Sequence, residues 1–169
     1  MHPVVKLAKN AVEEFVTTGK KITPSEDLIP ELKDKAGVFV SLKKQGQLRG
    51  CIGTFSPTTQ NVACEIITNA LCSASKDPRF EPVRTDELST LEYSVDILAP
   101  AELIKDKSEL DPVNYGVIVV DGNKRGLLLP DLEGVDTVDE QLRIAKMKAG
   151  ISTSKVNIDI YKFKVKRYR

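Results

Sequence analysis

The heptad at residues 48–54, LRGCIGT, is the feature that most constrains how this 169-residue chain folds. Residues 36–43 have strand composition, Gln45-Gly46 supplies turn chemistry, and residues 47–55 return as a second strand. The two glycines of the heptad remove side-chain bulk, so that a ligand or another strand can approach its backbone closely. The sequence therefore predicts a hairpin whose second strand carries the heptad.

Cys51 stands between these glycines, with Arg49 two residues before it. In a regular strand, residues two apart point to the same face, so we expect the Arg49 guanidinium to lie beside the Cys51 sulfur and to favour its thiolate. One inserted residue would send the two side chains to opposite faces. The alternative is a buried strand in which Cys51 packs as a small hydrophobic side chain and the glycines mark a bulge.

The rest of the chain mixes helices with strands. Apolar residues recur at helical spacing in three segments: residues 4–15, 62–74 and 138–149. Strand patterns occupy a second set of segments: residues 91–98, 117–120 and 126–129. Strands and helices do not alternate regularly, which indicates an α+β fold, mainly antiparallel sheet with packed helices, rather than a doubly wound sheet.

The end of the chain alternates between apolar and basic residues. Tyr161, Phe163 and Val165 are interleaved with lysines at positions 162, 164 and 166, which predicts one strand with a buried face and a wet face. We interpret the lysines as protection against edge pairing. Contact with a nucleic-acid backbone is the alternative, which the balanced charge of the chain disfavours.

Further segments accompany the heptad in order: DPRF at residues 77–80, GLLLP at residues 126–130 and KAGI at residues 148–151. Together they resemble the AMMECR family, small proteins of archaea, bacteria and eukaryotes, over essentially the whole chain. The resemblance implies one domain over residues 1–169, made of two unequal α+β subdomains that form a cleft at the heptad strand. It also implies a shared modification pathway with Memo-family and radical SAM partners.

Two residues outside the heptad are candidates for the same site. Arg79 offers a bidentate donor to a carboxylate or phosphate, and Asp77 offers a carboxylate that acts as base or ligand. Ordinary local roles are the alternative, because Asp-Pro is turn chemistry and an arginine after a helix end commonly pairs with a carboxylate or caps carbonyls. The catalytic candidates are Cys51 and Arg49, and the ligand-binding candidates are Gly50, Gly53, Thr54, Asp77 and Arg79.

Composition disfavours several classes of protein. Lys plus Arg number 25 against 24 for Asp plus Glu, so the formal charge of +1 indicates neither nucleic acid nor membrane as a partner. The single histidine, His2, argues against Cys-His and Ser-His-Asp catalysis. Cys51, Cys64 and Cys72 lack the spacing of a metal site or a disulfide framework. The absence of a spanning apolar run and of a signal-peptide pattern predicts a cytoplasmic location.

Two functions fit these features. In the first, Cys51 is a nucleophile or covalent carrier: Arg49 activates it, nearby backbone amides hold the developing anion, and Arg79 orients a small acidic substrate. In the second, the same cleft binds a ligand or a protein without bond chemistry. The thiol between glycines and beside an arginine favours the first. Neither a Walker loop nor a dinucleotide fingerprint is present, so the cofactor is unknown.

Overall fold

The computed structural model describes residues 1–169, which divide into two compact units. The first unit comprises Met1–Leu98 with Lys166–Arg169, and the second comprises Ala99–Val165. The structure contains two four-stranded sheets, mainly antiparallel, and packed helices. This is the α+β class that the pattern of segments predicts.

Four helices and eight strands make up the regular structure. The helices are α1 (Pro3–Thr18), α2 (Pro30–Lys33), α3 (Val62–Ser75) and α4 (Val138–Ala149). The strands are β1 (Val38–Lys44), β2 (Gln47–Gly53), β3 (Leu91–Leu98), β4 (Glu102–Leu103), β5 (Gly116–Asp121), β6 (Lys124–Leu128), β7 (Asp159–Phe163) and β8 (Val165–Tyr168). Short 3₁₀ helices occupy Thr85–Thr90 and Lys107–Glu109. None of the helices has the length and apolar content needed to cross a membrane.

The predicted hairpin is β1 and β2, joined at Gln45-Gly46. Both turn residues have positive φ, 53° and 75°, as a two-residue hairpin turn requires. The first sheet has the strand order β2-β1-β3-β8. Alternate residues of β1, such as Val40 and Leu42, belong to the core formed with α1 and α3. The intervening residues of β1, Ser41 and Lys43 among them, therefore face away from the helices.

The helices of the first unit follow local sequence signals. The helix α1 ends at Gly19, whose φ of 75° is the left-handed conformation expected of a C-terminal cap. The side chain of Asn61 caps the amino end of α3 by accepting a hydrogen bond from the amide of Cys64. Both helices match the segments predicted from apolar spacing.

The second unit has the strand order β4-β7-β5-β6, and α4 packs on β5 and β6. The hydroxyl of Thr137 caps α4 by accepting from the amide of Glu140, and Gly150 ends the helix with a φ of 71°. A Cβ at Gly126 would lie 2.2 Å from the carbonyl oxygen of Ala145, so the glycine allows α4 to approach β6 closely. The helical segment at residues 138–149 and the strand segments at residues 117–120 and 126–129 are thus present as α4, β5 and β6.

The single strand predicted at the end of the chain is wrong. The chain breaks at Lys164, so that β7 lies between β4 and β5 while β8 joins the other sheet. Lys162 is on an interior strand and lies 4.7 Å from the ring centroid of Tyr115, which removes edge protection as its role. A two-residue alternation does not reveal that a chain changes sheets, because both strands keep the same period.

Candidate functional site

Cys51 lies on β2, one of the two edge strands of the first sheet. It stands opposite Ser41 of β1, and the Ser41 hydroxyl donates a hydrogen bond to the Cys51 sulfur over 3.2 Å. Ser41 in turn stands opposite Ser94 of β3. Cys51, Ser41 and Ser94 thus form a row across three strands, on the face of the sheet that α1 and α3 leave uncovered.

Asp77 and Arg79 hold the backbone of Cys51. The Cys51 amide donates to Oδ2 of Asp77 over 2.9 Å, and Nη2 of Arg79 donates to the Cys51 carbonyl over 3.3 Å. Two side chains therefore make the bonds that a further strand would make at this edge. The structure brings both of these predicted site residues to Cys51.

Asp77 and Arg79 also form an ion pair with each other. Nε and Nη2 of Arg79 donate to the two carboxylate oxygens of Asp77 over 3.0 and 2.8 Å. These bonds lower the pKa of Asp77 to about 2, against the opposing effect of burial. The pKa of Arg79 is raised, first by the Asp77 carboxylate and then, after a smaller opposing effect of burial, by the charge that Cys51 can carry. A carboxylate with so low a pKa is a weak base at neutral pH, which argues against the role of general base for Asp77.

Arg49 is held elsewhere. Its Nε and Nη2 donate to the carboxylate of Glu87 over 3.0 and 2.9 Å, and this pair lowers the pKa of Glu87 to about 2. The hairpin register is irregular here: Leu42 pairs with Gly50 and Lys43 with Leu48, which leaves Arg49 as the inserted residue of a bulge. The prediction that the Arg49 guanidinium lies beside the Cys51 sulfur is therefore wrong, because β2 is not regular here, and the guanidinium bonded to Cys51 is that of Arg79.

The two glycines of the heptad are in close contact with other residues of the protein. A Cβ at Gly50 would lie 2.2 Å from the backbone oxygen of Ser73 in α3, and a Cβ at Gly53 would lie 2.3 Å from the ring of Phe39. Gly50 is buried, and its space is filled by the helix. The close approach predicted from the glycines is present, but at Gly50 and Gly53 the approaching groups are a helix and a ring rather than a ligand.

Four polar residues spaced four apart on and after α3 face the hairpin. They are almost fully buried and bond to β2 or to the residue after it; we call them the polar ladder: Glu65, Asn69, Ser73 and Asp77. Such spacing places side chains along one side of a helix. The apolar stripe of α3 predicts the helix but not the roles of Glu65, Asn69 and Ser73. The signal was the recurrence of polar residues at positions 65, 69, 73 and 77 beside that stripe.

Ser73 takes the place of one backbone bond in the hairpin. The amide of Ile52 donates to the Ser73 hydroxyl over 2.8 Å, and this hydroxyl donates to the carbonyl of Val40 over 2.8 Å. Ile52 and Val40 are opposite each other in the register, so the hydroxyl relays a bond between two strands. The amides of Cys51 and Ile52 both donate hydrogen bonds within the protein, to Asp77 and Ser73 respectively. These two amides therefore do not form the oxyanion site predicted on nearby backbone amides.

Glu65 occupies the amino end of α3. Its carboxylate accepts five hydrogen bonds, from the hydroxyls of Thr54, Thr58 and Thr59 and from the amides of Thr58 and Thr59. Burial raises the pKa of Glu65, but these donors outweigh burial and leave the pKa below its ordinary value. The Thr54 hydroxyl, predicted to bind a ligand, is thus bonded to the chain's own carboxylate.

The Asp77 bonds are expected to stabilise the fold in a pH-dependent way. Asp77→Asn should lower the free energy of unfolding at pH 7 by about 2 kcal/mol, because Arg79 and the Cys51 amide lose an ionised acceptor. The folded pKa of Asp77, about 2, lies below its ordinary value of 3.8. The stabilisation is therefore complete above about pH 4 and is lost as the pH falls toward about 2.

Urea unfolding at a series of pH values tests this prediction. The difference in free energy of unfolding between wild type and Asp77→Asn should stay constant from neutral pH to about pH 5 and shrink toward zero at lower pH. Asp86→Asn is the matched control, because Asp86 also pairs with an arginine but is exposed, and it should change little. A difference that persists at the lowest pH would contradict the assigned role of Asp77.

Comparisons with known proteins agree on the kinship of the chain. The AMMECR1 family model matches residues 5–168. A Thermotoga maritima protein is 56% identical over 99% of this chain and 98% of its own length. A Clostridium acetobutylicum protein is 51% identical over 99% of this chain, which spans only 36% of that protein.

A solved structure extends the comparison to the fold. The crystal structure of an uncharacterized protein from Pyrococcus horikoshii matches with a TM-score of 0.89 and 36% sequence identity, over 97% of this chain and 88% of that chain. The family model covers nearly the whole sequence, and the fold is shared. The chain belongs to the AMMECR1 family.

Proposed function

We propose that this protein is a cysteine-dependent enzyme in which Cys51 is the nucleophile and the substrate is a small acidic molecule. The observation that carries the proposal is the double contact at Cys51: a hydroxyl donates to its sulfur while a guanidinium binds its carbonyl. A hydrogen-bond donor and a nearby positive charge both favour a thiolate over a thiol. A cysteine that only packs as a small hydrophobic side chain in a strand requires neither the hydroxyl donor nor the guanidinium.

The reaction step needs only the substrate as a partner. The Cys51 thiol loses its proton to solvent, since the Asp77 carboxylate, with a pKa of about 2 and both oxygens hydrogen-bonded, is too weak a base to take it. The thiolate then gives an electron pair to an electrophilic carbon of the substrate, and a sulfur–carbon bond forms. The leaving group departs with the electron pair of the bond that breaks. The product is a substrate fragment carried on Cys51.

Arg79 supplies the recognition of an acidic group. Its side chain is 56% exposed, and Nη1 makes no hydrogen bond within the chain, while Nε and Nη2 are engaged. A guanidinium fixed on one side and open on the other binds a carboxylate or phosphate with little loss of side-chain freedom. Arg49, by contrast, becomes a positioning residue, because it holds the bulge of β2 against Glu87.

The resemblance of the sequence to AMMECR proteins is our reason for placing this reaction in a modification pathway with Memo-family and radical SAM partners. The substrate is then a small molecule of that pathway that carries an acidic group. The alternative function is non-catalytic binding at the same residues, in which Arg79 holds an acidic ligand and Cys51 forms no bond to it.

Alkylation by iodoacetate and iodoacetamide, followed by mass spectrometry at each cysteine, tests the proposal. Cys64 and Cys72 are partly buried thiols of the same molecule and serve as internal references. We expect Cys51 to react about tenfold faster than either and to reach half its maximal rate at lower pH. We also expect the ratio of the iodoacetate rate to the iodoacetamide rate to be higher at Cys51, because Arg79 attracts the anionic reagent.

Arg79→Gln is the informative variant for this experiment. It should lower the iodoacetate preference at Cys51 about fivefold, while Arg84→Gln, which removes an exposed arginine on the same loop, should leave it unchanged. Cys51 reacting no faster than the references would remove the enzyme proposal and favour the binding function. An iodoacetate preference that survives Arg79→Gln would remove Arg79 as the residue that recognises the acid.

A further inference from the structure

Arg49 joins the hairpin to the loop that carries Arg79. Its Nη1 donates to the backbone carbonyl of Glu81 over 2.9 Å, and its Nη2 donates to that of Pro82 over 3.4 Å. Because Nε and Nη2 also bind the carboxylate of Glu87, every nitrogen of this guanidinium is engaged within the protein. We call Arg49 and these three partners the Arg49 cluster.

The loop between Asp77 and Pro82 is attached to β2 near both of its ends. At the first end, the amide of Cys51 donates to Oδ2 of Asp77 over 2.9 Å. At the second end, Arg49 binds the two carbonyls of the cluster. Arg79 lies between these attachments, and its backbone amide donates to Oδ1 of Asp77 over 3.1 Å. Two residues of the heptad strand therefore act on the loop that places Arg79.

Burial distinguishes the roles of the two arginines. The Arg49 side chain is 16% exposed and that of Glu87 is 12% exposed, whereas the Arg79 side chain is 56% exposed. A bidentate pair between arginine and carboxylate that is shielded from water keeps its geometry better than an exposed pair does. Arg49 is therefore suited to hold the loop in place, and Arg79 is suited to meet a ligand.

We propose that Arg49 is a positioning residue for recognition of the substrate's acidic group, because it fixes the loop on which Arg79 presents Nη1. This role rests on the proposed function, since the same Arg79 guanidinium binds the acid there. Arg49 does not bind the acid itself, because its guanidinium is bonded to the loop carbonyls and to Glu87. A displaced loop would move Nη1 away from the acid, so that binding through Arg79 weakens.

The ratio of the iodoacetate rate to the iodoacetamide rate at Cys51 measures this role. Arg49→Lys keeps the positive charge but loses the planar fork that reaches the carboxylate and the carbonyls together, so the ratio should fall about threefold. Glu87→Gln should also lower the ratio, whereas a direct effect of charge would raise it, because this change removes a negative charge. Lys44→Gln is the matched control: Lys44 shares the Glu87 carboxylate without bonding the loop carbonyls, and the ratio should stay unchanged.

A double-mutant cycle shows whether Arg49 acts through Arg79. In the Arg79→Gln background, Arg49→Lys should lower the ratio no further, because the side chain that Arg49 positions is gone. The same fall in both backgrounds overturns the proposed role, and so does a ratio that Arg49→Lys leaves unchanged. Far-UV circular dichroism shows whether each variant is folded. If Arg49→Lys does not fold, Glu87→Gln, which leaves Arg49 in place, takes its position in the cycle.

The same data separate failure of this role from failure of the proposed function. The enzyme proposal fails if Cys51 reacts no faster than Cys64 and Cys72, whereas the role of Arg49 is decided by the ratio at Cys51. A ratio that falls in Arg49→Lys supports the role even at a slow Cys51, because Arg79 then binds the acid without bond chemistry. A wild type with no higher ratio at Cys51 than at the other two cysteines overturns the role.

Discussion

Gly50→Ala is expected to lower the free energy of unfolding by about 3 kcal/mol or more, a large effect for the addition of one methyl group. The new Cβ would lie 2.2 Å from the backbone oxygen of Ser73 and 3.2 Å from its carbonyl carbon. Both atoms belong to the backbone of α3, so no side chain can move aside. The helix must shift away from β2, and the hydroxyl relay of Ser73 between Ile52 and Val40 lengthens with it.

Gly46→Ala is the matched control, because Gly46 lies in the turn of the same hairpin with open space around it. Its φ of 75° makes alanine there cost about 1 kcal/mol through backbone conformation alone. Urea unfolding of the two variants therefore separates a packing requirement from a conformational one. Equal losses in both variants would contradict the assigned contact between Gly50 and α3.

The elements that the sequence predicts well are those encoded by neighbouring residues. The Gln45-Gly46 turn and the helical segment at residues 4–15 each rest on signals that act over a few positions, and each is present in the structure. The order of strands and helices follows from these local signals. The choice of Asp77 and Arg79 as site candidates relied on residue chemistry, and the structure brings both to the backbone of Cys51.

The relations between distant residues were not predictable in the same way. Whether β2 is regular decides which arginine meets Cys51, and the bulge at Arg49 depends on Glu87, 38 positions away in sequence. Gly50 and Gly53 predicted a close contact, but the sequence did not indicate that the contacting groups are α3 and the Phe39 ring. The break at Lys164 assigns β7 and β8 to different sheets, although their alternation is continuous.

Because the polar ladder engages the hairpin, the backbone around Cys51 is already satisfied. The Cys51 amide is bonded to Asp77 and its carbonyl to Arg79, while the next amide is bonded to Ser73. The proposed function therefore relies on side-chain groups: the Cys51 sulfur, the Ser41 hydroxyl and Nη1 of Arg79. These contacts hold the backbone of Cys51 in place, and if Cys51 is the nucleophile that we propose, they favour catalysis by positioning.

Glu65→Gln is expected to destabilise the protein by about 3 kcal/mol at neutral pH, since the carboxylate is buried and charged groups bonded in the interior are costly to replace singly. Glu65 is 1% exposed and accepts five hydrogen bonds. Glutamine replaces one acceptor oxygen by an NH₂ group, which faces the amide or hydroxyl donors of Thr58 and Thr59. Urea unfolding at pH 7 measures the loss.

The pH dependence of the same variant distinguishes lost charge from altered packing. The folded pKa of Glu65 lies below its ordinary value of 4.5, so the carboxylate stabilises the fold above that pH and this contribution declines as the pH falls through the folded value. The gap between wild type and Glu65→Gln should therefore narrow on acidification. Glu140→Gln, which alters an exposed glutamate paired with Arg143, should show neither effect. If the difference in free energy of unfolding between wild type and Glu65→Gln did not change with pH, Glu65 would act through its packing rather than its charge. The polar ladder would then hold β2 without an ionised Glu65.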